Sequence, residues 1–153
     1  MKKVVSIARA LKEKNRVAGR LAKARKLVGK ENSKEKKVPR GVDVKAAYAE
    51  AKMLRDRLVT IKTAIAVANQ PIVGRIVELA EVKAEIAYLS ALDVQEGVFE
   101  ESSYAGKLVK EYDVVLTKAE VLSEVDALQR RADELQDALD EFNAFVKVEI
   151  EMD

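Results

Sequence analysis

The sequence has no cysteine, no histidine and no tryptophan. Without cysteine there is no disulfide framework and no thiolate metal site. Without histidine the commonest general base and the commonest metal ligand are both missing. That excludes Ser-His-Asp and Cys-His catalysis and zinc sites of the His-Glu kind. Only 6 Gly and 2 Pro punctuate 153 residues, a scarcity that favours long helices over a turn-rich sheet. The aromatics are 3 Phe and 4 Tyr, too few to line a cofactor cavity, so no cofactor is expected. The longest uncharged run, Thr63–Gly74, covers 12 residues and includes Asn69, Gln70 and Pro71, too short and too broken to span a bilayer. The opening MKKVVSIARALKEK has too brief an apolar stretch for a signal peptide, and a cytoplasmic protein without membrane contact is expected.

What is present is charge, unevenly spread. Residues 1–40 hold 15 Lys and Arg against 3 Glu, whereas residues 41–153 hold 13 basic against 23 acidic side chains. The net +2 therefore conceals a basic N-terminal region, which points either to an anionic partner or to packing against acidic helices of the same chain.

Apolar periodicity gives four helical segments in a single domain spanning 1–153. The first runs from about Lys3 to Val28, with Ile7, Leu11, Ala18, Leu21 and Val28 on one face and Gly29 placed to stop it. Residues 30–40, KENSKEKKVPR, hold one apolar side chain and read as a mobile basic loop. Asp43 then caps a second helix whose Val44, Ala47, Ala51, Leu54, Leu58, Ile61, Ile65 and Ala68 keep an unbroken 3-4 spacing. Asn69-Gln70-Pro71 ends or bends it. A tight hairpin with Asn69 in a left-handed cap is the favoured reading, and a kinked continuation is the alternative. A third helix carries Ile72, Ile76, Leu79, Val82, Ile86 and Leu89.

Residues 93–116 form a non-helical connection. Within it, Leu108, Tyr112, Val114 and Leu116 share one parity, as in a half-buried strand. Thr117 and Glu120 make a capping box for a fourth helix with Val121, Val125, Leu128, Ala132, Leu135, Leu139, Phe142 and Val146 in register. From Val146 to Met152 the period switches to two, a strand able to pair with 108–116. The expected fold is mainly α, an antiparallel four-segment helical bundle or coiled coil with a small β annex near 108–116 and 146–152.

The order of these elements resembles a small family of bacterial proteins sometimes labelled septicolysin. The resemblance rests on the basic helix RALKEKNRVAGRLAKAR, on IAVAN at 65–69, and on LQRRADELQDALDEFNAFVKVEI at 128–150. It departs at Asn69-Gln70-Pro71, where that pattern has a longer connection between the helices. The resemblance implies a compact helical fold and brings no activity with it.

Three constellations bear on function. The seams Leu54, Leu58, Ile61, Ile65 and Leu128, Leu135, Leu139, Phe142 suit core packing or a seam to another subunit. The leading expectation is therefore a non-catalytic scaffolding or protein-interaction role in a homo-oligomer. Lys12, Arg16, Arg20, Lys23, Arg25 and Lys26 form a basic array suited to sequence-tolerant nucleic-acid or other polyanion binding, although residues 1–40 hold no aromatic for stacking on a base. Glu78, Glu81 and Glu85 repeat at the spacing of a Mg²⁺-binding helix. They give a third reading, a nucleotide hydrolase, against the simpler one of a solvated face with no metal.

Overall fold

The computed structural model describes residues 1–152. It is mainly helical, with four α-helices and two small antiparallel sheets. The chain order is β1 (Lys2–Ser6), α1 (Ile7–Glu31), α2 (Val44–Ala68), a turn of 3-10 helix (Gln70–Ile72), α3 (Val73–Ala91), β2 (Gly97–Ser103), β3 (Gly106–Tyr112), α4 (Lys118–Phe145) and β4 (Lys147–Glu151). The chain divides into two compact units, Met1–Val73 with Leu139–Asp153, and Gly74–Ala138.

In the first unit α1 and α2 lie antiparallel, because Glu13 meets Arg57 and Arg20 meets Glu50. Their facing stripes supply Ile7, Ala10, Val17, Leu21 and Ala24 from α1, and Ala51, Leu54, Ile61 and Ile65 from α2. Val5, Val148 and Ile150 extend this core onto a small sheet, and Leu58 and Phe142 pack at its margin. Fully buried aliphatic side chains such as Ile7 and Ile61 contribute about 1.5–3 kcal/mol each by leaving water.

That sheet corrects the expected strand pairing. β4 pairs with β1, with Val5 opposite Val148 and Lys3 opposite Ile150, whereas β3 pairs with β2. The reason is local closure. Ser103 and Gly106 face one another across a two-residue turn, and Gly106 has φ +119°, which a glycine adopts without strain. β3 is therefore a strand of a hairpin, and β4 is left to pair with the N-terminal segment. The first four residues of the expected helix, Lys3–Ser6, are consequently strand. α1 begins at Ile7, and Ser6 Oγ accepts from the Arg9 N–H at 3.3 Å. β3 is also far more exposed than a half-buried strand, and only Tyr112 in it is partly covered.

The other end of α1 runs past Gly29 to Glu31. The Arg40 guanidinium donates to the Glu31 and Asn32 carbonyls at 2.9 and 3.2 Å, satisfying acceptors that a helix end leaves open. Glu31 itself is buried and takes Lys34 Nζ at 2.7 Å and the Gly41 N–H at 3.2 Å. These bonds hold both ends of the basic segment 30–40. Asp43 caps α2 by accepting from the Ala46 N–H at 3.0 Å, as the sequence predicts. After α2, Asn69 keeps right-handed dihedrals (φ −82°, ψ −5°), and so does Val73. The connection is one 3-10 turn without the left-handed cap expected of a tight hairpin. Pro71 fits because it sits in the first turn, where its missing N–H costs nothing.

In the second unit α3 and α4 also run antiparallel. Leu89 and Val121 line one hollow with Leu116, while further along Arg131 of α4 reaches Glu78 of α3 at 2.7 Å. Leu79, Leu89, Val121, Ala132 and Leu135 are its buried aliphatics. The Thr117–Glu120 capping box forms as the sequence predicts. The Thr117 N–H donates to the Glu120 carboxylate at 2.8 Å, and the Glu120 N–H to Thr117 Oγ1 at 3.3 Å.

Candidate functional site

The two flanks of the α1–α2 seam differ in charge chemistry. On one flank Glu13, only 5 % exposed, accepts from Arg16 Nε and Nη2 at 2.9 Å each and from Arg57 Nη2 at 2.6 Å. Arg57 also donates to the Glu151 carbonyl of β4 at 3.3 Å. Arg20 bridges to Glu50 at 3.3 Å. Arg16 and Arg20 of the expected basic array therefore already face carboxylates.

On the other flank a cleft of about 230 Å³ opens between Arg25 and Val28 of α1 and Tyr48, Ala51, Lys52 and Arg55 of α2. Three cations and an aromatic line it. Among the described residues that line it there is no carboxylate. Lys52 Nζ stands 5.1 Å from the centre of the Tyr48 ring, a cation–π distance. Arg55 is turned toward its neighbour Asp56 at 2.7 Å, a solvent-exposed and therefore weak pair. Tyr48 and Val28 also line a second hollow with Asn32, Val44 and Lys45, so the two hollows adjoin at these side chains.

The helical phase explains this arrangement. Tyr48, Lys52 and Arg55 step by four and three residues along α2 beside the buried Ala51 and Leu54, which presents them on one flank of the seam. The antiparallel register then sets Arg25 opposite them. Of the six basic residues singled out from sequence, only Arg25 enters this cleft. Lys12, Lys23 and Lys26 are exposed elsewhere on α1, with Lys23 lining another hollow beside Arg20 and Glu50. Tyr48 is the aromatic that residues 1–40 lack. The sequence signal for it was the flanking pattern Tyr48-x-x-x-Lys52-x-x-Arg55, visible only once α2 is paired with α1.

The apolar seam residues fall within the chain's own packing. Leu54, Ile61, Ile65, Leu135 and Leu139 are buried, and Leu58, Leu128 and Phe142 are half-buried. Of the acidic trio, Glu78 is held by Arg131, whose hydrogen bond keeps the Glu78 carboxyl below its ordinary pKa, and Glu81 and Glu85 are exposed. Among the described residues no three carboxylates converge as ligands for a cation. No helix among them is long and apolar enough to cross a membrane. Set against known proteins, the chain matches no family model, no curated protein and no solved structure.

Proposed function

We propose that the protein binds single-stranded nucleic acid, with little regard to sequence, in the groove between α1 and α2. The observation that carries this reading is the grouping of Arg25, Lys52 and Arg55 around the half-exposed Tyr48 without a carboxylate in the lining. Phosphates supply the counter-charge for the three cations, and an unpaired base supplies a flat face for Tyr48. A duplex buries its base faces in the stack, so the tyrosine favours single strands over duplex. The cleft is smaller than the enclosed pockets that hold small organic ligands. The role is non-catalytic, needs no cofactor, and belongs to a cytoplasmic setting.

The test is fluorescence anisotropy of a labelled oligothymidylate and of a duplex of equal length, titrated at several salt concentrations. The single strand is expected to bind more tightly. Arg25→Gln/Lys52→Gln/Arg55→Gln should lower the slope of log affinity against log salt by about 2, three contacts at about 0.7 each. Lys12→Gln/Lys26→Gln should change it by less. Equal loss in both variants, or no binding at low salt, rejects the groove as the site.

A scaffolding role through self-association is the second reading. It is favoured by the exposed apolar side chains of the β2–β3 hairpin, Val98, Phe99, Leu108 and Val109.

A further inference from the structure

The β2–β3 hairpin stands as a two-stranded sheet of its own. Of its fourteen strand residues only Gly97 and Tyr112 are partly covered. Val98 is 63 % exposed, Val109 58 % and Leu108 51 %. A lone two-stranded ribbon is marginal in water, and each outer edge presents N–H and C=O groups ready to pair with another strand.

The two edges are not equivalent. β2 reads Gly97-Val-Phe-Glu-Glu-Ser-Ser103, and β3 reads Gly106-Lys-Leu-Val-Lys-Glu-Tyr112. If β2 met a second β2 antiparallel about its middle residue, Glu100 would face Glu100, a destabilising like-charge pair. If β3 meets a second β3 antiparallel about its middle residue, Val109 faces Val109. Lys107 of each copy then faces Glu111 of the other, and Leu108 faces the aliphatic stem of Lys110. Glu111 lies opposite Val98 within the hairpin and has no cationic partner among the described residues. Lys107 bridges diagonally to Glu100 at 3.3 Å on the same face of the sheet, so a neighbouring Glu111 would extend a charge row already begun.

We propose that β3 pairs antiparallel with β3 of a second copy of this chain, forming a two-fold dimer centred on Val109 with a continuous four-stranded sheet. The symmetry is closed, because each copy uses the same edge. The outer edges of that sheet are then the two β2 strands, where further two-fold addition would set Glu100 against Glu100. The result is a dimer and not a filament. This surface involves none of the groove residues, so it stands or falls apart from nucleic-acid binding.

The absence of cysteine makes the test direct. Facing residues of an antiparallel pair bring their Cβ atoms to about 5 Å, within disulfide reach after slight adjustment. Val109→Cys in the full chain, oxidised with copper phenanthroline, should give a covalent dimer on a non-reducing gel. Glu111→Cys should not, because each copy of residue 111 would lie roughly 14 Å along the sheet from the other. Lys107→Cys/Glu111→Cys should cross-link again. Sedimentation velocity should show the unmodified chain as a dimer at high micromolar concentration and Val109→Lys as a monomer. A monomeric unmodified chain at that concentration overturns the proposal. So does cross-linking of Glu111→Cys as fast as Val109→Cys, the mark of random collision.

Discussion

Arg57 Nη2 of α2 lies 2.6 Å from Glu13 Oε1 of α1. The Glu13 side chain is 4 % exposed and that of Arg57 14 %, so the pair is largely desolvated. A carboxylate in that position is tolerable only because Arg16 also grips it at 2.9 Å. The pair fixes the register of the hairpin, which is what places Arg25 opposite Tyr48 on the other flank. Glu13→Gln should remove the buried negative charge that Arg16 and Arg57 share and lower the unfolding free energy by about 3 kcal/mol. Glu50→Gln, which breaks only the exposed Arg20 pair, should lower it by less than about 1 kcal/mol. Urea denaturation followed by circular dichroism separates the two. Equal effects would mean that the buried pair does not hold the helices in register.

Gly106 has φ +119° in open space, so alanine there meets no neighbour but suffers backbone strain. Gly106→Ala should destabilise the β2–β3 hairpin by about 1–2 kcal/mol. Because the hairpin is almost wholly exposed, the loss should be local. Amide exchange should quicken across Val98–Tyr112 while the melting temperature barely moves. Gly41→Ala, at a position with ordinary φ, serves as the control. A hairpin equally protected in both variants would refute the role assigned to the turn.

The helices were legible because their signals are local. The 3-4 spacing from Val44 to Ala68, the Asp43 cap and the Thr117–Glu120 box each lie within one element. The strand Lys2–Ser6 was not legible. Five residues reading KKVVS continue the pattern of α1 equally well, and what makes them extended is pairing with Lys147–Glu151 at the far end of the chain. The same physics hid most of the site. Arg25 stood out as part of a basic run, whereas Tyr48, Lys52 and Arg55 gained meaning only from the helix register, which long-range ion pairs set.

Glu31 gives stability a pH dependence of known sign. The hydrogen bond from Lys34 is the main cause holding its carboxyl below the ordinary 4.5, with the Gly41 N–H adding to it against the opposing effect of desolvation. A carboxyl depressed in the folded state stabilises above its unfolded pKa, and that contribution is lost as pH falls through the lower folded value. Thermal melts should therefore show Glu31→Gln less stable than the parent chain at neutral pH. The difference should begin to shrink as pH drops below 4.5 and close in stronger acid. A difference constant across that range would mean that Glu31 acts by shape and not by charge.

Asp56 offers a gain-of-function test of the groove. Its carboxylate draws Arg55 to 2.7 Å, and both side chains are more than half exposed. The pair adds little stability, yet it offsets one of the three cations that face the cleft. Asp56→Asn keeps the size of the side chain and removes its charge, so Arg55 holds a phosphate without a competing carboxylate. Affinity for oligothymidylate should rise about two- to fivefold at low salt. The gain should fade at high salt, where screening weakens every such contact. Tyr48→Leu in the same background should weaken single-strand binding while leaving the salt slope unchanged, because it removes stacking and no charge. Affinity that does not respond to Asp56→Asn would place the bound anion away from Arg55, and the basic surface of α1 outside the groove would become the site to test.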